Sequence, residues 1–393
     1  MNLLILYAKN KGEILNRKSA LGSYIFNLSK ILNSNSINVF VNGIKFSKLN
    51  QVYKNEPINK IEQSNFKKSV KNLIPQFIKR YIKEKKNLSS INKMTSDLLN
   101  STQKYDAILE FYTLGSNVGY ELSKSLSIPL YITYDSPIFE EYKFFNHSKP
   151  FNYKYLKDIE KKSLLQAEKI VVYSNPMKAY ISQITKYDNN VFIHQNIDFS
   201  RFDIMTKEKP STKKEINICF IGSFLKWHQV DFLVDAFENL LLNGINANLF
   251  LVGDGMERQT IENYVQTKTN EVKSKINFTG FLDGETLLIL KTQMHIGIMP
   301  GSNWYGAPNK IFEYGAMKMA VLVPDTPTIK DLFTENEITF FEWKSKNSLK
   351  DKLLVMCSNS ELIQKKSSAL NRFIINNHSQ KQTLDFYNTI FHS

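Results

Sequence analysis

The chain has 393 residues, a length that suits two domains better than one. Its 42% hydrophobic and 22% charged residues exclude an intrinsically disordered chain, and no apolar run approaches the ~20 residues that a membrane-spanning helix needs. The two cysteines, Cys219 and Cys357, exclude a disulfide framework and indicate a reducing compartment, which we expect to be the cytoplasm. The net charge of +14 favours an anionic partner without distinguishing nucleic acid, acidic lipid and phosphorylated substrate.

Short apolar runs alternate with helical patterns through the first half of the chain. The first run, residues 3–7, lacks the basic segment and the cleavage site of a signal peptide, so it is predicted to be a β-strand. Further buried strands are predicted at residues 39–41, 107–111, 130–134, 170–173 and 191–194, and helices at residues 22–32, 119–125 and 155–167. This alternation predicts βαβ units around a parallel sheet.

A second alternation follows residues 206–215, a polar and charged segment that Pro210 interrupts, as is typical of a linker. Strands are predicted at residues 216–221, 247–252, 276–279, 296–299 and 321–323, and helices at residues 230–242, 256–264, 284–291, 309–317 and 380–391. We therefore predict an α/β protein with two doubly wound domains, residues 1–205 and 206–375, and a terminal helix in residues 376–393. Ligands of such sheets bind beyond the carboxyl ends of the strands.

Residues 66–86 combine an apolar helical stripe with many basic residues, and Pro75 should kink or divide this helix. The stripe consists of Phe66, Val70, Leu73, Ile74, Phe77, Ile78, Tyr81 and Ile82. A basic amphipathic helix is typical of an anionic membrane surface. Alternatively, the stripe packs against the first sheet and the lysines face solvent; the sequence leaves both interpretations open.

The segment from Gly306 to Met317 is the strongest candidate for a ligand site. Its glycine-bearing turn follows a predicted strand and leads into a helix, whose first N–H groups and partial positive charge suit a diphosphate. Lys310 adds a formal charge, and Glu313 lies where a carboxylate can accept hydrogen bonds from a ribose diol. The pattern alone is weak, because an ordinary loop before a helix also produces it.

Several other segments strengthen this interpretation through their order and spacing. They are residues 168–174, 195–198, 221–228, 251–255, 278–281 and 321–326, and with residues 309–314 (NKIFEY) they extend from residue 168 to residue 326. Together they resemble the retaining, GT-B-fold glycosyltransferases of the group 1 family, glycosyltransferase family four, which includes sucrose-phosphate synthases and many bacterial polysaccharide enzymes.

The resemblance implies GT-B architecture, in which two Rossmann-like domains face each other across a cleft and the C-terminal helix returns to the N-terminal domain. Glu313 would bind the donor ribose, residues 306–309 and Lys310 the diphosphate, and Phe281 would lie near the base. Gly22 and Ser23 resemble the small-residue loop that approaches the donor phosphate. The donor-binding residues thus implied are Gly22, Ser23, Ser223, Lys226, His228, Phe281, Tyr305, Gly306, Ala307, Pro308, Asn309, Lys310 and Glu313.

Three donor positions depart from the family's pattern. Tyr305 stands where the family often has a glutamate that contacts the donor sugar. Ser223 and His228 stand where it often has an arginine and a lysine on the diphosphate. Lys226 and Lys310 are expected to supply the missing charge, and His228 fits either a phosphate contact or a structural role.

The implied reaction is transfer of a sugar from a nucleoside-diphosphate sugar with retention of configuration. The catalytic candidates are Asp135, Lys310 and Glu313, with Asp135 contacting the transferred sugar. The alternative role for Asp135 is to cap the turn before Pro137. The leaving phosphate itself can take the acceptor proton, and no cofactor is expected; no metal is expected either, because the sequence contains no Asp-x-Asp triplet.

The implied acceptor is a saccharide or a lipid-linked saccharide, in bacterial cell-surface polysaccharide synthesis at the inner face of the membrane. A catalytically inactive scaffold or regulatory binding module is the alternative, motivated by Tyr305, Ser223 and His228. No nucleic-acid partner is expected, because no motif for one is present. A dinucleotide oxidoreductase is also disfavoured, because no Gly-x-Gly-x-x-Gly follows either opening strand.

Overall fold

The computed structural model describes residues 1–8, 20–49, 75–195, 215–282, 284–306 and 309–392. The chain divides into two compact units. The N-terminal unit contains Met1–Asp198 together with Leu384–Ser393, and the C-terminal unit contains Phe199–Thr383.

The N-terminal unit is built on a seven-stranded sheet. Its strands are β1 (Asn2–Tyr7), β2 (Asn38–Val41), β3 (Ile44–Lys45), β4 (Ala107–Phe111), β5 (Leu130–Thr133), β6 (Lys169–Val172) and β7 (Val191–Ile193). The spatial order is β3-β2-β1-β4-β5-β6-β7, and every pair is parallel except the β2–β3 hairpin at the edge. The central strands are apolar runs because helices cover both faces of such a sheet.

Besides a helical segment at residues 46–49, six helices in the described residues accompany this sheet. They are α1 (Ala20–Asn33), α2 (Gln76–Leu99), α3 (Val118–Leu126), α4 (Ile138–Asn146), α5 (Tyr153–Gln166) and α6 (Asn175–Thr185). The core between β1, β4 and α1 contains Leu3, Ile5, Leu109, Ile25 and Leu28. Within the described ranges, no helix is both long enough and apolar enough to cross a bilayer.

The C-terminal unit is built on six parallel strands. They are β8 (Ile216–Ile221), β9 (Ala247–Val252), β10 (Ile276–Gly280), β11 (Ile296–Ile298), β12 (Ala320–Pro324) and β13 (Thr339–Phe341). Their order is β10-β9-β8-β11-β12-β13, the order of a dinucleotide-binding sheet. The direction of winding reverses between β8 and β11, and a ligand crevice forms at the carboxyl ends of these two strands in folds of this kind.

The helices of this unit surround the sheet. They are α7 (Val230–Leu242), α8 (Arg258–Gln266), α9 (Asn270–Ser274), α10 (Gly284–Gln293), α11 (Asn309–Ala316), α12 (Pro327–Leu332), α13 (Lys346–Cys357) and α14 (Ser360–Asn377), with a 3-10 turn at Lys226–His228. One core cluster joins the sheet to α7 and α13 through Phe220, Leu233, Phe237, Leu349 and Leu353.

The last helix, α15 (Gln380–His392), ends in the N-terminal unit. Tyr387 and Ile390 are buried in the core of that unit. Lys169 Nζ donates a hydrogen bond to the Ile390 carbonyl oxygen at 2.6 Å, and the His194 ring stacks on Phe386 with a centroid distance of 4.2 Å. A buried ammonium at the carboxyl end of a helix is favourable because it satisfies carbonyl groups that have no partner within the helix.

The predicted α/β fold class is confirmed by the two parallel sheets and their helices. Three strands and one helix have the predicted bounds: β4, β8, β9 and α7. The short strands β3 and β13 were not predicted, nor were α4, α6, α9, α12, α13 and α14.

Of the basic segment 66–86, residues 66–74 lie outside the described part of the chain. Helix α2 begins directly after Pro75. Phe77, Tyr81 and Ile82 are 58%, 40% and 40% exposed, so this part of the apolar stripe faces solvent. The buried residues of α2 lie in its second half: Ile91, Thr95 and Leu98.

Candidate functional site

Two glycines shape the point where the strand order of the C-terminal unit reverses. Gly222 follows β8, and a Cβ atom there would overlap Cε of Lys310, which comes from α11. Gly253 follows β9 with a φ of +124°, and a Cβ atom there would overlap the Gly222 carbonyl oxygen. Glycine is therefore required for the two turns and the lysine to lie side by side.

Lys310 lies in the first turn of α11, close to the carboxyl end of β8. Its Nζ is 3.2 Å from Nε2 of His228 and 5.6 Å from the centroid of the Phe220 ring. Burial lowers the pKa of Lys310 to about 8, and the charge of Glu313 offsets this only in part. A poorly solvated ammonium of this kind is stabilised when an anion binds beside it.

His228 supports Lys310 from behind. Nδ1 of His228 is 2.6 Å from the carbonyl oxygen of Ser223, which can only accept, so Nδ1 carries the proton and Nε2 accepts a hydrogen bond from Lys310. Burial, together with the charge of Lys310, lowers the pKa of His228 to about 3, so the ring is neutral. Both ring nitrogens are thus engaged within the protein, and the ring orients Lys310.

Glu313 forms an ion pair that the sequence did not reveal. Its Oε2 accepts a hydrogen bond from Lys291 Nζ, on α10, at 2.6 Å. The lysine side chain is 5% exposed, whereas the glutamate side chain is 42% exposed. The one available signal is that Lys291 is the only charged residue between Glu285 and His295 in the sequence.

Tyr314 anchors α11 against the sheet. Its hydroxyl accepts a hydrogen bond from the Ile221 backbone N–H at 2.9 Å, and its ring lies so close to Gly297 on β11 that a Cβ atom there would overlap it. This contact fixes the helix that carries Lys310 and Glu313 at the reversal point of the sheet.

The loop between β11 and α11 is held by side chains from other elements. Trp343 Nε1 donates a hydrogen bond to the Ser302 carbonyl oxygen at 2.9 Å. Tyr305 is buried at 8% exposure. The Oδ1 atom of Asn303 is also buried, and no residue that the structure describes donates a hydrogen bond to it.

The other predicted donor-binding residues of this unit lie around the same edge of the sheet. Ser223, before the 3-10 turn, and Lys226, its first residue, are exposed, and Phe281, directly after β10, is 65% exposed. Gly306 ends the described part of the loop and Asn309 begins α11, whereas Ala307 and Pro308 lie outside the described residues. Among the described residues, no group of three or more His, Cys, Asp or Glu side chains could hold a metal ion.

Three predicted residues belong to the N-terminal unit. Gly22 and Ser23 lie in the first turn of α1, in agreement with the helix predicted at residues 22–32, whereas the resemblance implied a small-residue loop at this position. Asp135 follows β5, and it lies close enough to Tyr24 for its charge to add to the effects of burial and of Tyr387, which raise the pKa of Tyr24 well above its usual value.

Comparisons with known proteins identify the family of one domain and the fold of the chain. Residues 201–373 match the family model described as glycosyl transferases group 1. No curated protein matches the chain.

Solved structures show the fold. Sucrose-phosphate synthase from Thermosynechococcus elongatus is similar with a TM-score of 0.71 and 16% identity over 100% of this chain and 99% of its own. WaaG, a glycosyltransferase involved in lipopolysaccharide biosynthesis, has a TM-score of 0.68 and 10% identity over 100% of both chains. Anabaena HepE, solved in complex with UDP, has a TM-score of 0.67 and 13% identity over 100% of both chains.

Proposed function

We propose that this chain, a glycosyltransferase with a group 1 domain at residues 201–373, transfers a sugar from a nucleoside-diphosphate sugar to a saccharide or lipid-linked acceptor with retention of configuration. The observation that carries the proposal is that Lys310 and Glu313 both lie on α11, at the point where the strand order of the second sheet reverses. The cation and the helix N-terminus suit a diphosphate, and the carboxylate suits a ribose diol.

In this proposal the diphosphate is the leaving group. Negative charge develops on it as the glycosidic bond breaks, and Lys310 stabilises that charge from a position that His228 has already fixed. The leaving phosphate accepts the proton of the attacking hydroxyl, so no separate base is needed. Asp135 is proposed to contact the transferred sugar, and the reaction is expected to continue in the presence of EDTA.

Asn303 is the second proposed contact to the donor sugar. Its Oδ1 is a buried acceptor to which no described residue donates a hydrogen bond, in the loop that precedes α11. A sugar hydroxyl can donate to it without displacing any described protein group, because an unsatisfied buried acceptor gains from any donor.

A thermal-shift screen tests the donor site. Purified protein is heated with UDP, GDP, ADP or CMP, and UDP is tried first because HepE was solved with UDP. A ligand at about 100 times its dissociation constant should stabilise the fold by about 2.7 kcal/mol. The shift should disappear in Glu313→Ala and persist in Glu361→Ala, a matched change of an exposed glutamate in the first turn of α14.

Two outcomes would decide against the proposal. If no nucleotide stabilises the wild type, or if Glu313→Ala responds as the wild type does, the inactive scaffold or regulatory module becomes the better explanation. If a nucleotide binds but its sugar conjugate releases no sugar to water or to any saccharide acceptor, the site binds the donor without catalysis, which also supports the scaffold.

We further propose that the acceptor is reached at an anionic membrane surface through the N-terminal half of α2. Phe77, Tyr81 and Ile82 are exposed there, and the Tyr81 ring contacts Phe151, which is 43% exposed, with a centroid distance of 5.3 Å. The same half of α2 contains four lysines: Lys79, Lys83, Lys85 and Lys86. Apolar side chains can enter the interface while each lysine contributes about 1 kcal/mol of attraction to acidic lipid.

Co-sedimentation with vesicles tests the membrane contact. Wild-type protein should pellet with vesicles that contain phosphatidylglycerol and not with pure phosphatidylcholine vesicles. The double variant Phe77→Glu with Tyr81→Glu should stay in the supernatant, whereas Ile375→Glu, at a 63% exposed position of the C-terminal unit, should pellet as the wild type does. Equal pelleting of the double variant would contradict the proposal.

A further inference from the structure

The Lys291–Glu313 ion pair is asymmetric in its burial. The ammonium of Lys291 is 2.6 Å from Oε2 of Glu313, and the lysine is almost completely buried while the carboxylate is open to solvent. A surface ion pair of the usual kind exposes both groups and contributes little to stability. Here the lysine lies behind the carboxylate, so its charge acts on the side of Glu313 that faces the protein.

This arrangement leaves one carboxylate oxygen for a ligand. An ionised carboxylate has about four acceptor sites on its two oxygens, and the hydrogen bond from Lys291 takes one of those on Oε2, so that Oε1 is the oxygen that Lys291 leaves to a ligand. The hydrogen bond also restricts the rotation of a side chain that would otherwise move freely in water, and a fixed acceptor loses less conformational entropy when a ligand binds.

We propose that Lys291 is the positioning residue for donor recognition: it holds Glu313 so that the other carboxylate oxygen accepts hydrogen bonds from the ribose diol. The inference rests on the proposed function, since it requires that Glu313 binds ribose. Lys291 does not contact the ligand, and its effect on binding is transmitted through Glu313.

A purely structural role for Lys291 makes a different prediction. In that case the ion pair only joins α10 to α11, and its loss lowers the stability of the protein and weakens the binding of all ligands equally. In a positioning role, its loss weakens only those ligands that carry ribose hydroxyls. The two roles are therefore separated by ligands with and without the diol.

Calorimetric titration with UDP, GDP and ADP, each paired with its 2′,3′-dideoxy analogue, makes the measurement. For the base that binds best, the wild type should prefer the ribonucleotide about tenfold or more, and Glu313→Ala should remove that preference. Lys291→Met should lower the affinity for the ribonucleotide at least threefold, about 0.6 kcal/mol, while leaving the affinity for the dideoxy analogue unchanged.

Two further variants complete the design. Lys291→Gln, which can still donate one hydrogen bond, should retain part of the preference. Lys275→Met removes the Lys275–Glu215 ion pair, whose N–O distance is 3.0 Å, from the position just before β10, and it should leave both affinities unchanged. Thermal unfolding of each variant confirms that it is folded before it is titrated.

The outcomes distinguish the inference from the proposed function. If no nucleotide binds the wild type, or if Glu313→Ala keeps the preference for ribose, the proposed function fails and the inference fails with it. If Glu313→Ala loses the preference but Lys291→Met keeps it, or if Lys291→Met weakens both ligands equally, the donor site stands and the positioning role of Lys291 is overturned.

Discussion

Raising the pH above about 8 should weaken the binding of a nucleoside diphosphate through Lys310. Burial lowers the pKa of this ammonium to about 8 in the unliganded protein. A bound diphosphate favours the charged form, so the pKa of Lys310 returns toward its usual value of about 10.4 in the complex. Binding at pH 9 therefore takes up a proton, and each proton taken up makes the dissociation constant rise tenfold per pH unit.

The size of the effect follows from the titration curve. With a pKa of about 8, the charged fraction of Lys310 falls from about nine-tenths at pH 7 to about one-tenth at pH 9, so the dissociation constant should rise about tenfold. The diphosphate is already about nine-tenths ionised at pH 7, since the second pKa of a phosphate is about 6, so its own titration changes little in this range. Calorimetry at pH 7, 8 and 9, in buffers of different ionisation enthalpy, measures both the affinity and the proton uptake.

Two variants control this experiment. Lys310→Met should bind the nucleoside diphosphate more weakly than the wild type at every pH, and its dissociation constant should lack the rise with pH that Lys310 causes. Lys226→Met, which removes an exposed lysine, should keep the wild-type slope of the dissociation constant against pH. The stability of the unliganded protein should change in the opposite direction. Between pH 8 and about 10 the unfolded state binds more protons at Lys310, so the free energy of unfolding rises relative to Lys310→Met. A wild-type affinity that is constant from pH 7 to pH 9 would contradict the proposed contact between the Lys310 ammonium and the diphosphate.

Three further predictions concern single side chains. Gly222 and Gly253 both have a positive φ, so alanine at either position should lower the free energy of unfolding. Gly253→Ala places a Cβ against the Gly222 carbonyl oxygen and should cost about 1–3 kcal/mol, whereas Gly222→Ala meets the flexible end of Lys310 and should cost less while weakening diphosphate binding about tenfold or more. Calorimetry and thermal melts distinguish the two variants, and equal effects on stability and affinity would contradict the geometry. Lys169→Met should lower the free energy of unfolding by about 1.5–3 kcal/mol and increase hydrogen exchange in α15. Unchanged exchange would show that the hydrogen bond from Lys169 to Ile390 does not stabilise α15. Burial alone would raise the pKa of Asp235, but hydrogen bonds from two lysines and a tyrosine outweigh burial and lower the pKa. The contribution of Asp235 to the free energy of unfolding should therefore be lost as the pH falls below about 4. In acid denaturation, Asp235→Asn should reduce this loss.

The sequence predicted best those elements that are buried on both faces. Strands β4, β8 and β9 are mainly apolar, with a single polar residue in each, and their predicted bounds agree with the structure. The edge strands β3 and β13 have only two and three residues, too few for a periodic pattern. Helix α13 mixes lysine and serine with its buried residues, so its apolar face is weak in the sequence although it packs closely on α7.

The candidate site divides in the same way. The sequence placed Lys310 and Glu313 on one helix after one strand, because both lie within a single local motif. It did not identify the partners that orient them. His228 is 82 residues from Lys310, and Lys291 is 22 residues from Glu313, so both contacts depend on how the chain folds around the second sheet. Local pattern predicts which groups face a ligand, and tertiary packing decides which groups hold them.

The departures at Ser223 and His228 therefore argue less strongly for an inactive scaffold than they do in the sequence alone. His228 does not need to carry charge, because its neutral ring orients the ammonium of Lys310. A buried lysine behind Glu313 points the same way. Burying an ammonium costs stability that an apolar side chain of similar volume would not cost, and a scaffold with no ribose to bind would gain from Lys291 only the link between α10 and α11. Both groups proposed to meet the donor have a buried partner, which is the arrangement that binding with fixed geometry requires.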